Sequence, residues 1–219
     1  MFRTLRPEDV EVRTQKVSVN RNGVVTMSCL IYKNARVDRA ILDETFGPFR
    51  WKNEYTVVNN NLFCSISIKD DQGEWITRQD VGVRSNIERE KGEASDAFKR
   101  AAFAWGIGVE LYNAPDIDIR LNQGEFYTKG QNTYPSIKLM VSQLDVDPAT
   151  REIITLEIIR EDTGETKFLK SRLPLLSTAQ YEKALERVRN GEDIIGKLKE
   201  SFALNSMTIH TLKESLKNI

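Results

Sequence analysis

Hydrophobic and polar residues alternate along the first half of the chain, and this alternation predicts β-strands. In residues 24–32, Val25, Met27, Cys29 and Ile31 share one face. Residues 14–19 precede them, and the Asn-Gly pair at 22–23 between the two runs favours a hairpin turn. The same pattern predicts three further strands at about 49–58, 62–68 and 74–83, joined by turns at 59–61 and 70–73. The first half therefore predicts antiparallel strands, the last three forming a β-meander.

Helical periodicity interrupts the strands once, at residues 34–47. Asn34 is a favourable N-cap, and Gly47-Pro48 would end the helix. The spacing predicts a buried stripe formed by Val37, Ala40, Ile41 and Leu42.

The clearest helix covers residues 91–105, where alanine recurs, proline is absent and Gly106 supplies a stop. At 100° per residue, its apolar face carries Ala94, Phe98, Ala101, Ala102 and Trp105 and should pack on a sheet. The opposite face carries Asp96, Lys99, Arg100 and Phe103. Two cations beside an aromatic ring can meet phosphates and a base, yet a solvated charge pair and a packed ring give the same pattern. The spacing alone leaves both interpretations open.

The second half of the chain has a different character. Residues 137–144, 153–160 and 166–169 predict a small β unit, after a looser region that begins near Pro115. Three short amphipathic helices follow, from Ser177 to about Arg189, from 194 to 204 and from 208 to 216. We therefore predict an α+β fold with a core at residues 1–115, a β extension at 116–172 and a helical tail at 173–219.

The composition and charge of the chain limit the kinds of partner that the sequence predicts. The 219 residues contain 32 basic and 32 acidic side chains, so any phosphate-binding surface must come from local arrangement rather than from excess charge. No apolar run is long enough to span a bilayer and no signal peptide is evident. Cys29 and Cys64 read as buried thiols. These features predict a cytoplasmic protein without a membrane partner.

Motifs for catalysis are weak. Gly191–Lys197 follows the phosphate-loop spacing, but Leu198 stands where serine or threonine should bind magnesium, and a helix precedes it instead of a strand. His210 is the single histidine, so no catalytic triad and no zinc-ligand spacing can be built. We expect no enzymatic activity, no cofactor and no metal.

Cations and aromatics are interleaved before the main helix. Arg50, Trp51, Lys52 and Tyr55 lie together, and further cations at Arg78, Arg84, Arg89 and Lys91 approach the helix. This interleaving suits single-stranded nucleic acid, which offers phosphates and unstacked bases. Equally, the aromatics could belong to the core and the cations to the surface.

Three segments in this order and spacing resemble one known family. They are residues 40–51 (Ala-Ile-Leu-Asp-Glu-Thr-Phe-Gly-Pro-Phe-Arg-Trp), residues 79–82 (Gln-Asp-Val-Gly), and residues 91–108 with Leu111-Tyr112. The chain over about residues 5–115 resembles the annealing domain of the Rad-fifty-two recombination proteins, particularly their bacterial and phage relatives. The resemblance implies a β-β-β-α core, assembly into homo-oligomeric rings or filaments, and ATP-independent annealing of single-stranded DNA in recombination and repair.

The resemblance also implies site residues. The family's backbone-contacting Lys-Arg pair matches Lys99 and Arg100, and its groove arginine before the first hairpin matches Arg13. Phe103 departs from the family, which often has a basic residue there. Arg36, Lys52, Arg84 and Lys91 are expected to assist. A different hypothesis is a non-catalytic interaction module that loads or assists a partner, such as a recombinase or a single-strand binding protein; the zero net charge is compatible with it.

Overall fold

The computed structural model describes residues 2–83 and 89–217, and for residues 89–91 it describes the backbone alone. In chain order the strands are β1 Glu11–Val19, β2 Val25–Tyr32, β3 Trp51–Val58, β4 Asn61–Lys69, β5 Trp75–Val81, β6 Ile117–Leu121, β7 Phe126–Lys129, β8 Asn132–Pro135, β9 Leu139–Val146, β10 Ile153–Arg160 and β11 Thr166–Ser171. The α-helices are α1 Ala35–Phe46, α2 Arg89–Ala104, α3 Thr178–Arg189, α4 Ile195–Ser201 and α5 Ser206–Lys217. Short 3-10 helices cover Pro7–Asp9 and Val109–Asn113. The predicted α+β class is confirmed at this level.

The chain folds into two compact units. One is formed by Tyr32–Asn113 with the N-terminal segment up to Leu5, and the other by Arg6–Ile31 with the chain from Ala114 onward. These units group the first hairpin with the C-terminal half, whereas the sequence suggested a boundary near residue 115. The long-range pairing of β2 with β6 is the reason, because Met27 pairs with Ile119 across a large sequence separation.

In the first unit, β3, β4 and β5 form an antiparallel meander in the order expected from the sequence. Register pairs Tyr55 with Cys64 and Cys64 with Asp80. Cys64, Ile66 and Ile68 are buried on the helix-facing side of β4. On α2 the buried apolar positions are Ala97, Phe98, Ala101 and Ala102, whereas Ala94 and Trp105 of the expected face are partly exposed. Helix α2 packs against β4 and β5. The prediction that this helix face packs on a sheet is confirmed.

Helix α1 packs beside α2 and begins at the residue expected from the sequence. The Asn34 side chain accepts hydrogen bonds from the backbone N–H groups of Arg36 and Val37, which caps the first turn. The expected stripe is partly wrong, since Ala40 is exposed while Asp38 is fully buried with Ile41 and Leu42. An acidic residue therefore occupies a core position of α1.

In the second unit, the strands form small antiparallel sheets: β1-β2-β6, β9-β10-β11 and the β7-β8 hairpin. The first hairpin turn is held by the Asn20 side chain, which accepts from the Asn22 and Val24 N–H groups. The loose region expected after Pro115 instead contains β6, whose Ile117, Ile119 and Leu121 are buried.

The C-terminal helices α3–α5 are confirmed, and they share a core of their own. Ala184, Val188, Ile194, Ile195 and Leu212 form its buried cluster. The N-terminus of α5 bonds to the sheet through Glu157, which accepts from the Ser206 N–H at 2.9 Å. No helix in the described ranges is long and apolar enough to cross a membrane.

Candidate nucleic-acid interface

Two glycines fix α2 in place, and both belong to the segments that carry the family resemblance. Gly82 follows β5 and packs so closely on α2 that a Cβ there would overlap the Glu93 carbonyl oxygen. At the other end, Gly106 has φ +91°; its N–H donates to Phe103 O at 2.8 Å and the Ile107 N–H donates to Ala102 O at 3.1 Å. This bond pair is a Schellman motif, which ends the helix and satisfies its last carbonyls.

Lys99 lies on the outward side of α2 and is partly exposed. No acidic side chain of the described residues forms an ion pair with it. Its charge acts on a buried pair beneath, formed by Lys33 Nζ and Asp38 Oδ1. The Lys99 ammonium is therefore available to an external anion.

The buried pair beneath Lys99 was not predicted from the sequence. Lys33 is 6% exposed and Asp38 is 0% exposed. Burial raises the pKa of Asp38 to about 6, although the Lys33 and Lys99 charges oppose that shift. Burial likewise lowers the pKa of Lys33. Among the described residues, Asp38 Oδ2 has no hydrogen-bond partner.

Arg100 is held closer to the sheet than Lys99 is. Its Nη2 lies 3.4 Å from Asp80 Oδ1, and its side chain is 39% exposed. The buried Arg100 Nε has no hydrogen-bond partner in the described part of the chain. The neighbouring Asp96 accepts from the Val83 N–H at 3.0 Å. The two cations of α2 therefore differ in their partners, because Arg100 pairs with Asp80 of β5 and Lys99 forms no ion pair with the described residues.

The other predicted cations lie on different elements of the fold. Arg36 is exposed in the first turn of α1, in the same unit as Lys99. Lys52 lies on the sheet face opposite α2, because its neighbour Trp51 contacts Phe98 on the helix side. Arg13 is exposed on β1, in the second unit. Arg84 and the side chain of Lys91 lie outside the described residues.

Two cations near α2, Arg39 and Arg78, lie against aromatic rings. The Arg39 guanidinium lies 4.2 Å from the Phe98 ring centroid and 5.9 Å from that of Trp51. Arg78 lies 4.9 Å from the Trp105 ring centroid and donates to the Ala104 carbonyl oxygen at the end of α2. These pairs join elements distant in sequence, so helical and strand periodicity gave no signal for them.

Two aromatic residues of the motif also come together. The Phe103 and Tyr112 ring centroids are 4.0 Å apart, with 44° between the ring planes. Tyr112 is 69% exposed. Trp51 instead is half-buried, and its indole N–H donates to Asp43 Oδ1 at 2.7 Å. Tyr112 is therefore better placed than Trp51 to meet an external ring.

Comparisons of the chain with models of protein families, with curated proteins and with solved structures found no match. The family resemblance therefore rests on the quoted residues.

Proposed function

We propose that the protein binds single-stranded DNA and anneals complementary strands without ATP, as a homo-oligomer acting in recombination and repair. One observation carries the proposal. The segments that resemble the annealing family fall on α1, on β5 and on α2 with the 3-10 helix after it. Strands β3, β4 and β5 precede α2 in the chain, and this order is compatible with the β-β-β-α core that the resemblance implies.

The chemistry of Lys99 supports this proposal. A strand's phosphates need cations that are not neutralised by the protein's own carboxylates. Lys99 meets that need, because it is partly exposed and without an ion-pair partner among the described residues. It also stands above the buried Lys33–Asp38 pair, whose own ammonium is nine-tenths buried and engaged with Asp38.

Arg100 would have to exchange its partner on binding. Its contact with Asp80 at 3.4 Å is half-exposed, and such pairs contribute about 0–1 kcal/mol. A phosphate accepts charge-assisted hydrogen bonds from guanidinium groups, so the exchange from Asp80 to a phosphate is inexpensive. Arg36 on α1 is a further cation of the same unit.

The sheet of the first unit supports self-association. Within the described residues, β3 and β5 are its edges, and edge strands present unpaired backbone groups to other chains. Val57 and Val58 at the end of β3 are 66% and 48% exposed. A second copy of the chain would cover these edges in a ring or filament.

A second candidate is the non-catalytic interaction module that assists a recombination or replication partner. The zero net charge and the exposed Val57 and Val58 favour it, since apolar surface without excess charge is typical of protein-binding surfaces. It predicts no annealing activity in the purified protein.

The test is annealing of two complementary, fluorescently labelled oligonucleotides by the purified protein in the absence of ATP. We expect faster annealing than in buffer alone, and we expect the Lys99→Ala, Arg100→Ala double variant to lose that acceleration. Purified protein that neither binds single-stranded DNA nor accelerates annealing would reject the proposal and leave the interaction module.

A matched control separates the site from a general reduction of charge. The Lys183→Ala, Arg189→Ala double variant removes two exposed cations from α3, so its net charge equals that of the double variant on α2. It should anneal like the parent protein. An equal reduction in both variants would mean that annealing depends on total charge and not on α2.

A further inference from the structure

The end of α2 presents an aromatic ring to solvent on a fixed support. The Schellman motif at Gly106 turns the chain back, and the 3-10 helix Val109–Asn113 then places Tyr112 against Phe103 at 4.0 Å between ring centroids. Phe103 is partly buried, whereas Tyr112 is 69% exposed. The Phe103 ring thus fixes one side of Tyr112 while most of the tyrosine surface stays accessible.

The charges around this pair suit an anionic ligand. Lys99 precedes Phe103 by four residues, so both project from the same side of α2 about one turn apart. Two neighbouring acidic groups are already engaged. Asp96 accepts from the Val83 N–H, and Glu110, in the 3-10 helix itself, is fully buried and accepts from the Leu5 N–H at 2.6 Å. The aromatic pair therefore adjoins an ammonium that has no ion-pair partner in the described part of the chain.

This juxtaposition matches what an unpaired nucleotide offers. A single strand presents a phosphate and an exposed base within one nucleotide, and a supported aromatic ring next to a cation receives both. A duplex hides the faces of its bases in the stack, so the ring would select the single strand.

We infer that Tyr112, supported by Phe103, stacks on an unpaired base of the strand whose phosphates Lys99 binds. The inference rests on the proposed function and adds a residue to it. Tyr112 then holds a base by its face, which leaves the base's pairing edge accessible to a complementary strand.

The test compares Tyr112→Ala with the parent protein on two labelled probes of equal length, oligothymidylate and a strand of abasic sites. Removing one stacking platform should weaken binding to oligothymidylate by about 5- to 100-fold. Binding to the abasic strand should not change, because that strand has no base to stack. The salt dependence should keep its slope, since the variant retains every cation that meets a phosphate.

Two further variants distinguish the loss of base stacking from an effect on folding. Tyr112→Trp keeps an aromatic face and should bind like the parent protein. Tyr112→Leu keeps apolar volume against Phe103 but has no ring, so it should lose affinity as the alanine variant does. Thermal unfolding of each variant should match that of the parent, because the ring lies largely outside the core.

Tyr134→Ala is the matched control. Tyr134 is also an exposed tyrosine in an aromatic pair, 5.5 Å from Tyr127 between ring centroids, but it lies in the second unit. It should bind both probes like the parent. Two results would refute the stacking role while the parent protein still binds and anneals DNA. Either Tyr112→Ala binds oligothymidylate as well as the parent does, or its affinity falls by the same factor on both probes. In both cases the proposed function stands. A parent protein that binds neither probe refutes both.

Discussion

Two clusters in the first unit combine lysine with aromatic residues, and they use them differently. In the α2 cluster, the Phe103 ring at the end of α2 lies 4.0 Å from the Tyr112 ring of the following 3-10 helix. Lys99 of the same cluster has no ion-pair partner among the described residues. On the opposite face of the sheet, the Lys52 and Lys69 ammonium groups lie 5.3 and 5.6 Å from the Trp75 ring centroid. Lys52 also bonds to Glu54 at 3.0 Å.

The difference decides which cluster is available to a ligand. In the sheet cluster the cations interact with their own aromatic ring, so a phosphate or a base would have to displace an existing cation–π interaction. In the α2 cluster the aromatic ring is stabilised by another ring, and both the lysine and the tyrosine remain accessible. The same residue types are thus paired with one another in the sheet cluster, whereas in the α2 cluster the lysine has no ion-pair partner among the described residues.

The largest expected effect concerns the buried pair that lies beneath the α2 cluster. Lys33→Met should destabilise the protein by about 3–5 kcal/mol at pH 7, because Asp38 is left as a buried charge without its partner. Chemical denaturation of the variant and the parent measures this difference. A destabilisation below about 1 kcal/mol would show that Asp38 is not charged in the folded protein.

The destabilisation caused by Lys33→Met should also depend on pH, and the sign of that dependence follows from the pKa of Asp38. The pKa of Asp38 is raised by burial to about 6, above its unfolded value of about 4. Its stabilising contribution is therefore present below pH 4 and is lost as the pH rises through 6. Without Lys33 the pKa of Asp38 rises further. The loss of unfolding free energy in Lys33→Met, relative to the parent protein, should therefore be smaller at pH 5 than at pH 7. Denaturation curves at the two pH values measure this change.

Two tryptophans offer the next comparison between the faces of the sheet. Trp105 is half-buried on the helix side and donates from Nε1 to Ile66 O at 3.0 Å, whereas Trp75 is 42% exposed on the outer face. Trp105→Ala should cost about 3 kcal/mol. Trp75→Ala should cost about 1 kcal/mol, since it removes only a partly buried ring and its cation–π interactions. Equal destabilisation on denaturation would mean that the outer face is covered in solution.

The smallest expected effect is a change in the salt dependence of single-strand binding, which should differ between variants of the α2 cluster and variants of the sheet cluster. Lys99→Ala with Arg100→Ala should reduce the slope of log affinity against log salt by about 0.7 for each single-strand phosphate that the protein no longer neutralises. Lys52→Ala with Lys69→Ala removes the same charge from the sheet cluster and should leave the slope unchanged. A reduced slope in the second variant would show that the strand also crosses the outer face of the sheet.

Much of the fold follows from local patterns. The alternation of apolar and polar residues predicted β3, β4 and β5. Asn34 and Gly47 marked the two ends of α1, and the alanine-rich segment indicated α2 with its buried face. These features depend on neighbours one to four residues apart, which a sequence displays directly. The candidate site was harder to predict, since the sequence treats Lys99 and Arg100 as equivalent, while in the structure Arg100 alone pairs with Asp80.

The sequence by itself determined that α2 presents Lys99 and Phe103 on one side and its apolar residues on the other. Tertiary structure alone decided how the charges are paired. Arg100 meets Asp80 from β5, Lys33 is buried beneath Lys99 and meets Asp38, and Tyr112 returns to Phe103 after the Gly106 turn. Each of these contacts depends on the packing of separate elements, and periodicity within one element carries no information about the charge or ring that a second element brings against it.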